Sequence, residues 1–288
     1  MLQDLPGGQP GSHSAVPVGR RQALGFVADA QERVGALPIH VTMREAWLAH
    51  ADIREGTRVV EVGCGTGVVT RDIARLVGPF GRVIGIDPSE SLLRVASRLS
   101  EAAGLSARVE LRQGDAANLT LPPNAYDTAV ACMVFQHLPE PKAALRELRR
   151  VMRPGARLVA FEQDIEGLQV DHPDRALTRM ILQNAAERYV LSPDAARRLP
   201  GLVTELGFAE VEVLTFLQAE RAEGHLFGLL LRLADFAVMQ GRVRGETARQ
   251  WTATLERKVL EGTFFASLPH YALVAQKPAL GLVRTDVE

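Results

Sequence analysis

The sequence predicts an α/β fold built on a doubly wound parallel sheet, and three features predict it. From residue 57 onward, short β-branched runs alternate with longer segments of helical periodicity. The first run, "TRVVEV", opens into a turn whose glycines fall at every second residue, Gly63, Gly65 and Gly67. The second run, "RVIGID", ends in an acid, Asp87, at the strand tip where sheets of this kind bind ligands.

Each element follows from its residues. "TRVVEV" is apolar enough for a strand buried on both faces. "GVVTRDIARLV" is a helix with Val69, Ile73, Leu76 and Val77 on one face, and Gly78 closes it. After "RVIGID", Ser89 caps the helix "ESLLRVASRLSEAAG", which ends at Gly104. "RVELRQ" and "DTAVACMV" supply the third and fourth strands. Pro139 and Pro141 stand near the start of the helix "KAALRELRRVM", and "RPG" turns the chain into the fifth strand, "ARLVAFEQ". Two helices then precede a sixth strand, "EVEVLTF", and two more precede the final strand, "ASLPHYALVAQKP". The late helical segments, about 171–207 and 223–261, carry few turn signals and read as a cap over a substrate. Residues 21–288 are therefore expected to form one domain, and residues 1 to about 20, rich in Gly, Pro and Ser, a flexible tail.

Composition narrows the partners. The chain has 288 residues, enough for one large α/β domain or one with a sizeable insertion. A net charge of -1 gives no electrostatic reason to expect nucleic acid or an anionic membrane. No apolar run approaches the roughly 20 residues of a membrane span, and the N-terminus lacks the pattern of a signal peptide. Cys64 and Cys132 make neither a disulfide framework nor a Cys-rich zinc site, which fits a reducing cytoplasm.

The glycine turn admits few ligands. A phosphate-binding P-loop needs Lys-Ser or Lys-Thr after its last glycine, whereas Val68 and Val69 follow Gly67. The dinucleotide fingerprint needs a glycine where Val68 stands, so a nicotinamide cofactor is disfavoured. Asp87 can grip a ribose diol with both oxygens; its alternative is simply to start the next helix. Asp115 in "GDAANL" follows the third strand, and with the backbone N–H of Ala116 it can reach the amine edge of an adenine. Its alternative is a turn residue.

Taken together, "VVEVGCGTG", "VIGIDPSE", "RQGDAANL", "YDTAVACMVFQHLPEP" and "LRELRRVMRPGARLVAFEQ" resemble the class I S-adenosylmethionine-dependent methyltransferases. The likeness is nearest to the small-molecule branch that includes the ubiquinone and menaquinone methyltransferases, and it runs motif by motif over roughly residues 40 to 165. It implies a Rossmann-like, seven-stranded sheet whose last strand is antiparallel, with helical cap insertions. It also implies S-adenosyl-L-methionine as cofactor. Glu61 would orient the methionine amino group, while Gly63, Cys64, Gly65 and Gly67 pass along the methionine and ribose. Asp87 would hold the ribose, Pro88 would line the adenine, Asp115 and Ala116 would reach its amine, and Met133 would border the methionine side.

Methyl transfer of this kind asks the protein chiefly to align the acceptor atom and exclude water; a base matters for a hydroxyl or acidic carbon acceptor. No catalytic residue is assigned. His137 reads as a structural turn, its alternative being a catalytic or substrate-contacting residue; His225 and His270 read as packing or surface residues, their alternative being a base; and Glu162 and Asp164 either face the substrate or lie in a solvated loop. No metal is assigned. The apolar "HLFGLLLRLADFAVM" is shielded by the core or by a homodimer partner, or else lines an apolar pocket. "ACMVFQHL" stands where methyltransferases acting on adenine or glutamine nitrogen carry an Asn/Asp-Pro-Pro-aromatic signature. The expected acceptor is a small, partly apolar metabolite methylated on oxygen or carbon. A cyclase or isomerase on the same scaffold, or a non-catalytic cofactor-binding partner, is the alternative.

Overall fold

The structure, a computed structural model, describes residues 18–279, with side chains from residue 27 onward. Most of the expected tail, 1–17, lies outside the described residues. Two helices that the sequence pattern had not marked come first, α1 (Val18–Gly35) and α2 (Pro38–Leu48). The alternating core follows as β1 (Arg58–Val62), α3 (Val68–Leu76), β2 (Arg82–Asp87), α4 (Glu90–Ala102), β3 (Val109–Gln113) and β4 (Tyr126–Cys132). It continues with α5 (Pro141–Val151) and β5 (Met152–Gln163). Then come a two-residue β6 (Gln169–Val170), α6 (Arg175–Arg188), α7 (Ala195–Glu205) and β7 (Ala209–Glu220). Last are α8 (His225–Met239), α9 (Gly245–Leu260) and β8 (Ala266–Gln276).

Strands β3-β2-β1-β4-β5-β8 lie in that order, with β7 outside β8. The first five are parallel, and β8 runs antiparallel to both β5 and β7. This is the seven-stranded, Rossmann-like sheet expected from the sequence. β6 adds only a short extension, pairing Gln169 and Val170 with Ser267 and Ala266. The order reverses between β1 and β4, and the glycine turn lies at the carboxyl edge of that reversal, where sheets of this kind bind ligands.

Alternation along the strands builds two layers of core. Val60, Val62, Ile84, Ala129 and Leu158 face α5 and α7, packing on Leu145, Leu148, Leu199 and Val203. Val59, Val83, Val130, Val159 and Phe161 face the other way, onto Trp47 of α2 and Val69 and Ile73 of α3. A third cluster joins α6, α8 and α9 around Trp251 and the start of β8. Of the segments expected to cap the sheet, α6, α8 and α9 share this third cluster, whereas α7 lies on the sheet beside α5. The apolar α8 is covered by its own chain: Leu226, Leu229, Leu230, Leu233 and Ala237 all enter that cluster. Among the described residues, no helix is long and apolar enough to cross a membrane.

Candidate functional site

The turn after β1 has the conformation its glycines anticipate. Gly63, Gly65 and Gly67 all adopt positive φ, at 66°, 53° and 79°. Space is as tight as the torsions. A Cβ on Gly63 would lie 2.4 Å from Cγ2 of Val134, and one on Gly65 would lie 2.6 Å from Oε1 of Gln31. The loop after β4 thus closes one side of the turn and α1 the other. Gln31 Oε1 accepts from the Thr66 N–H at 3.1 Å, and Arg71 bridges Thr66 O and the Glu32 carboxylate. Cys64 is buried within the turn, and burial pushes its thiol well above the ordinary range, which makes it a packing residue.

Four acids approach this edge in different states. Glu61 is buried on β1 and accepts from the Thr70 hydroxyl at 2.5 Å; burial pushes its carboxyl up to about 8. At neutral pH it is mostly protonated. Asp87 is also buried, but its oxygens accept from backbone donors, Oδ2 from Gly65 N–H at 2.9 Å and Oδ1 from Ser89 N–H at 2.8 Å. Each oxygen keeps a second lone pair for another donor. Pro88 beside it is exposed. Asp115 is exposed too, and its Oδ1 accepts from Ala117 N–H at 2.8 Å in a side-chain turn, leaving Oδ2 open; Ala116 is buried.

Glu162 is the fourth acid, and the structure corrects both readings of it. It is neither solvated nor turned to a substrate. Fully buried, its Oε1 accepts from Val134 N–H at 2.7 Å and Phe135 N–H at 2.8 Å, with Gln136 N–H 3.4 Å from Oε2. Burial lifts its carboxyl to about 7 against those three donors. It braces the loop that carries Met133, whose φ of 59° ends β4 two residues earlier than the sequence pattern suggests. Met133 N–H donates to Phe161 O at 2.7 Å, and the side chain packs on the layer that holds Phe161. Asp164 is buried beside Arg197 at 3.5 Å, with Oδ1 lacking a hydrogen bond.

Beyond Phe161, three histidines distant in sequence meet. The His40 ring lies 5.7 Å from that of His225 and 5.6 Å from that of His270, edge to face in both cases. His270 is fully buried and stacks on Phe161 at 5.5 Å, which stacks in turn on Trp47. His40 went unmarked in the sequence. Two surface cavities, of about 390 and 380 Å³, lie away from all of this, at the amino edge of the sheet and between β6 and α6. Among the described residues, no group of three His, Cys, Asp or Glu side chains is arranged to hold a metal ion.

With the geometry in hand, residues 60–160 match the family described as "Methyltransferase domain". An uncharacterized 37.1 kDa protein of a Streptomyces fradiae transposon is 35% identical over 228 residues, 78% of this chain and 64% of that protein. A demethylmenaquinone methyltransferase of Geobacillus kaustophilus is 30% identical over 191 residues, 60% of this chain and 80% of that enzyme. The chain belongs to the class I S-adenosylmethionine-dependent methyltransferases. Within these methyltransferases it is related to the menaquinone branch. The YcgJ protein of Bacillus subtilis has the same fold, with a TM-score of 0.57 at 17% identity, covering 83% of this chain and 99% of that one. The chain thus spans just under two thirds of the Streptomyces fradiae protein and most of the menaquinone methyltransferase.

Proposed function

We propose that this protein transfers a methyl group from S-adenosyl-L-methionine to an oxygen or carbon of a small, partly apolar metabolite. The observation that carries the reading is the union of the glycine turn with the tip of β2 through the Gly65 N–H and the Asp87 carboxylate. A turn strained against a Cβ at Gly63, Gly65 and Gly67, beside a carboxylate with lone pairs to spare, suits a sugar edge and an amino acid rather than a diphosphate.

The residues present fit that cofactor. Asp87 would hold the ribose hydroxyls with its remaining lone pairs, and Pro88 would border the adenine. The free Oδ2 of Asp115 and the backbone of Ala116 would meet the adenine amine. Gly63, Cys64, Gly65 and Gly67 would pass their backbone along the methionine, with Glu61 beneath and Met133 opposite. When bound, S-adenosylmethionine supplies a methyl group already activated on a sulfonium. The protein's part is alignment and exclusion of water: Glu162 fixes the loop that carries Met133, and α1 covers the turn through Gln31 and through Glu32, which Arg71 of α3 ties to Thr66 O. Residues 21–288 act as one catalytic domain on this reading, in the cytoplasm.

Incubation with methyl-labelled S-adenosylmethionine and a panel of phenols, quinones and polyketides tests it. Label and one added methylene unit in the product are expected. A rearranged product of unchanged mass would instead identify a cyclase or isomerase, and cofactor binding without turnover of any acceptor would indicate a non-catalytic partner.

A further inference from the structure

The cavity of about 380 Å³ between β6 and α6 is set apart from the glycine turn. β6 stands four strands from β1, roughly 19 Å at the usual spacing of neighbouring strands. The wall of this cavity carries a buried donor that the protein leaves without a partner. His172 is only 8% exposed, and its Nδ1 accepts from the Asp174 N–H at 3.0 Å. A ring nitrogen that accepts holds no proton, so the proton of this imidazole sits on Nε2. Burial lowers the pKa of the ring below its ordinary value and keeps it neutral at pH 7. Nε2 is buried without a hydrogen bond. The Trp251 backbone comes near the ring, but its carbonyl serves the ladder of α9 and makes no hydrogen bond to Nε2. The Trp251 indole stacks on His172 at 5.2 Å while its Nε1 donates to Thr178, so α9 fixes the ring in the cavity wall.

The charge around that donor is positive. Arg175 and Arg179, one turn apart on α6, both line the cavity, and neither has an ion-pair partner among the described residues. The acids nearby are committed elsewhere: Glu166 to Arg197, Asp171 to Lys258, and Asp174 to the Leu177 N–H as the cap of α6. Leu168, Val170, Leu182 and Ala186 make much of the remaining wall apolar. A buried N–H that lacks an acceptor, beside two unpaired guanidinium groups, calls for an oxyanion. The apolar wall calls for an apolar body behind it and disfavours a bare phosphate.

We propose that this cavity is a second ligand site, separate from that of S-adenosylmethionine, and that it takes a small carboxylate with an apolar body. A carboxylate oxygen accepts from the Nε2–H of His172, and Arg175 and Arg179 meet the negative charge. The site stands independently of the methyltransferase reading.

Titration of protein labelled with nitrogen-15 at histidine tests it, using benzoate, benzyl alcohol, protonated benzylamine and inorganic phosphate, with and without S-adenosylhomocysteine. His172→Phe identifies the His172 signal. Benzoate should shift the Nε2 resonance of His172 and bind at least about tenfold more tightly than each comparison probe, whether or not the nucleoside is present. Arg175→Gln and Arg179→Gln lie on the surface and should each lower benzoate affinity roughly threefold, as suits exposed charges, and the double variant more. S-adenosylhomocysteine affinity should stay unchanged in all three. Failure of benzoate to bind, binding that leaves His172 unmoved, equal affinity for the alcohol or for phosphate, or wild-type affinity in the double variant overturns the proposal. Displacement of benzoate by S-adenosylhomocysteine would place it at the glycine turn and overturns the proposal as well.

Discussion

Gly65 and Asp87 are bonded to each other: the Gly65 N–H donates to Oδ2 of Asp87 at 2.9 Å, and that joins the turn after β1 to the tip of β2. The acid is therefore structural before it touches any ligand. Asp87→Ala strands two backbone donors, those of Gly65 and Ser89, and should destabilise the fold by roughly 1–3 kcal/mol for each donor that water does not reach. Cofactor affinity should fall at least about tenfold, because a ribose partner is lost with the turn geometry. Asp87→Asn keeps an acceptor for Gly65 and should retain more stability than affinity. Denaturant melts and calorimetry with S-adenosylhomocysteine separate the two effects; unchanged affinity in both variants would remove Asp87 from the ribose site.

If Glu61 lies beneath the methionine as proposed, cofactor binding should be a proton-linked event. Its carboxyl is raised to about 8 in the folded protein, above its ordinary value near 4.5, first by burial. The folded state thus holds a proton that the unfolded chain releases. Stability from this group is complete below about pH 4.5 and declines as pH rises towards 8. Glu61→Gln removes the titration while leaving an oxygen to accept from Thr70. Its melting temperature should gain on the wild type from pH 5 to 8, then run parallel. A methionine ammonium beside Glu61 favours the ionised form, so binding should release a proton at pH 7. Calorimetry in buffers of different ionisation enthalpy measures that release, and the variant should show none.

The central sheet was legible because β1, β2 and β4 are apolar runs, and Gly63 and Ser89 mark where β1 and β2 give way to the next turn or helix. The carboxyl-edge acids were legible for the same reason: Asp87 ends its strand. Glu162 was not, since a polar "EQD" after a strand reads as solvent, and only the fold brings the Val134 and Phe135 N–H groups to it. α1 and α2 were hidden by the Gly- and Pro-rich stretch ahead of them, although Pro38 sits at the first turn of α2 as a starting signal. The cluster of His40, His225 and His270 has no local pattern at all. It exists only because β8 returns beside β5 and places His270 opposite Gln163.

That cluster should make the protein acid-sensitive. His40 is lowered to about 4 and His270 to about 3, both chiefly by burial, against 6.5 when exposed. Below pH 6.5 the unfolded chain takes up protons that the folded chain refuses, so stability falls as pH drops towards those values. By pH 5 the loss is on the order of 2 kcal/mol for each histidine. Above 6.5 both states are neutral and the contribution is flat. His270→Phe should flatten the decline between pH 6.5 and 5 in denaturant midpoints, even if it melts lower at pH 7. An equally steep decline in the variant would move the acid sensitivity elsewhere.

Glu162 offers the sharpest test of what positions the loop after β4. Its two oxygens serve Val134, Phe135 and Gln136, so one side chain fixes three consecutive residues next to Met133. Glu162→Gln turns one of those oxygens into an NH2 group that faces a backbone N–H, a donor against a donor. The expected cost is roughly 1–3 kcal/mol of stability. Because Val134 also closes on Gly63, the slackened loop should widen the turn and raise the Kd for S-adenosylhomocysteine. Hydrogen exchange should quicken at 133–136 and stay unchanged in β1. Protection of those amides in the variant equal to that in the wild type would show that the ladder from Met133 to Phe161 holds the loop without the carboxylate.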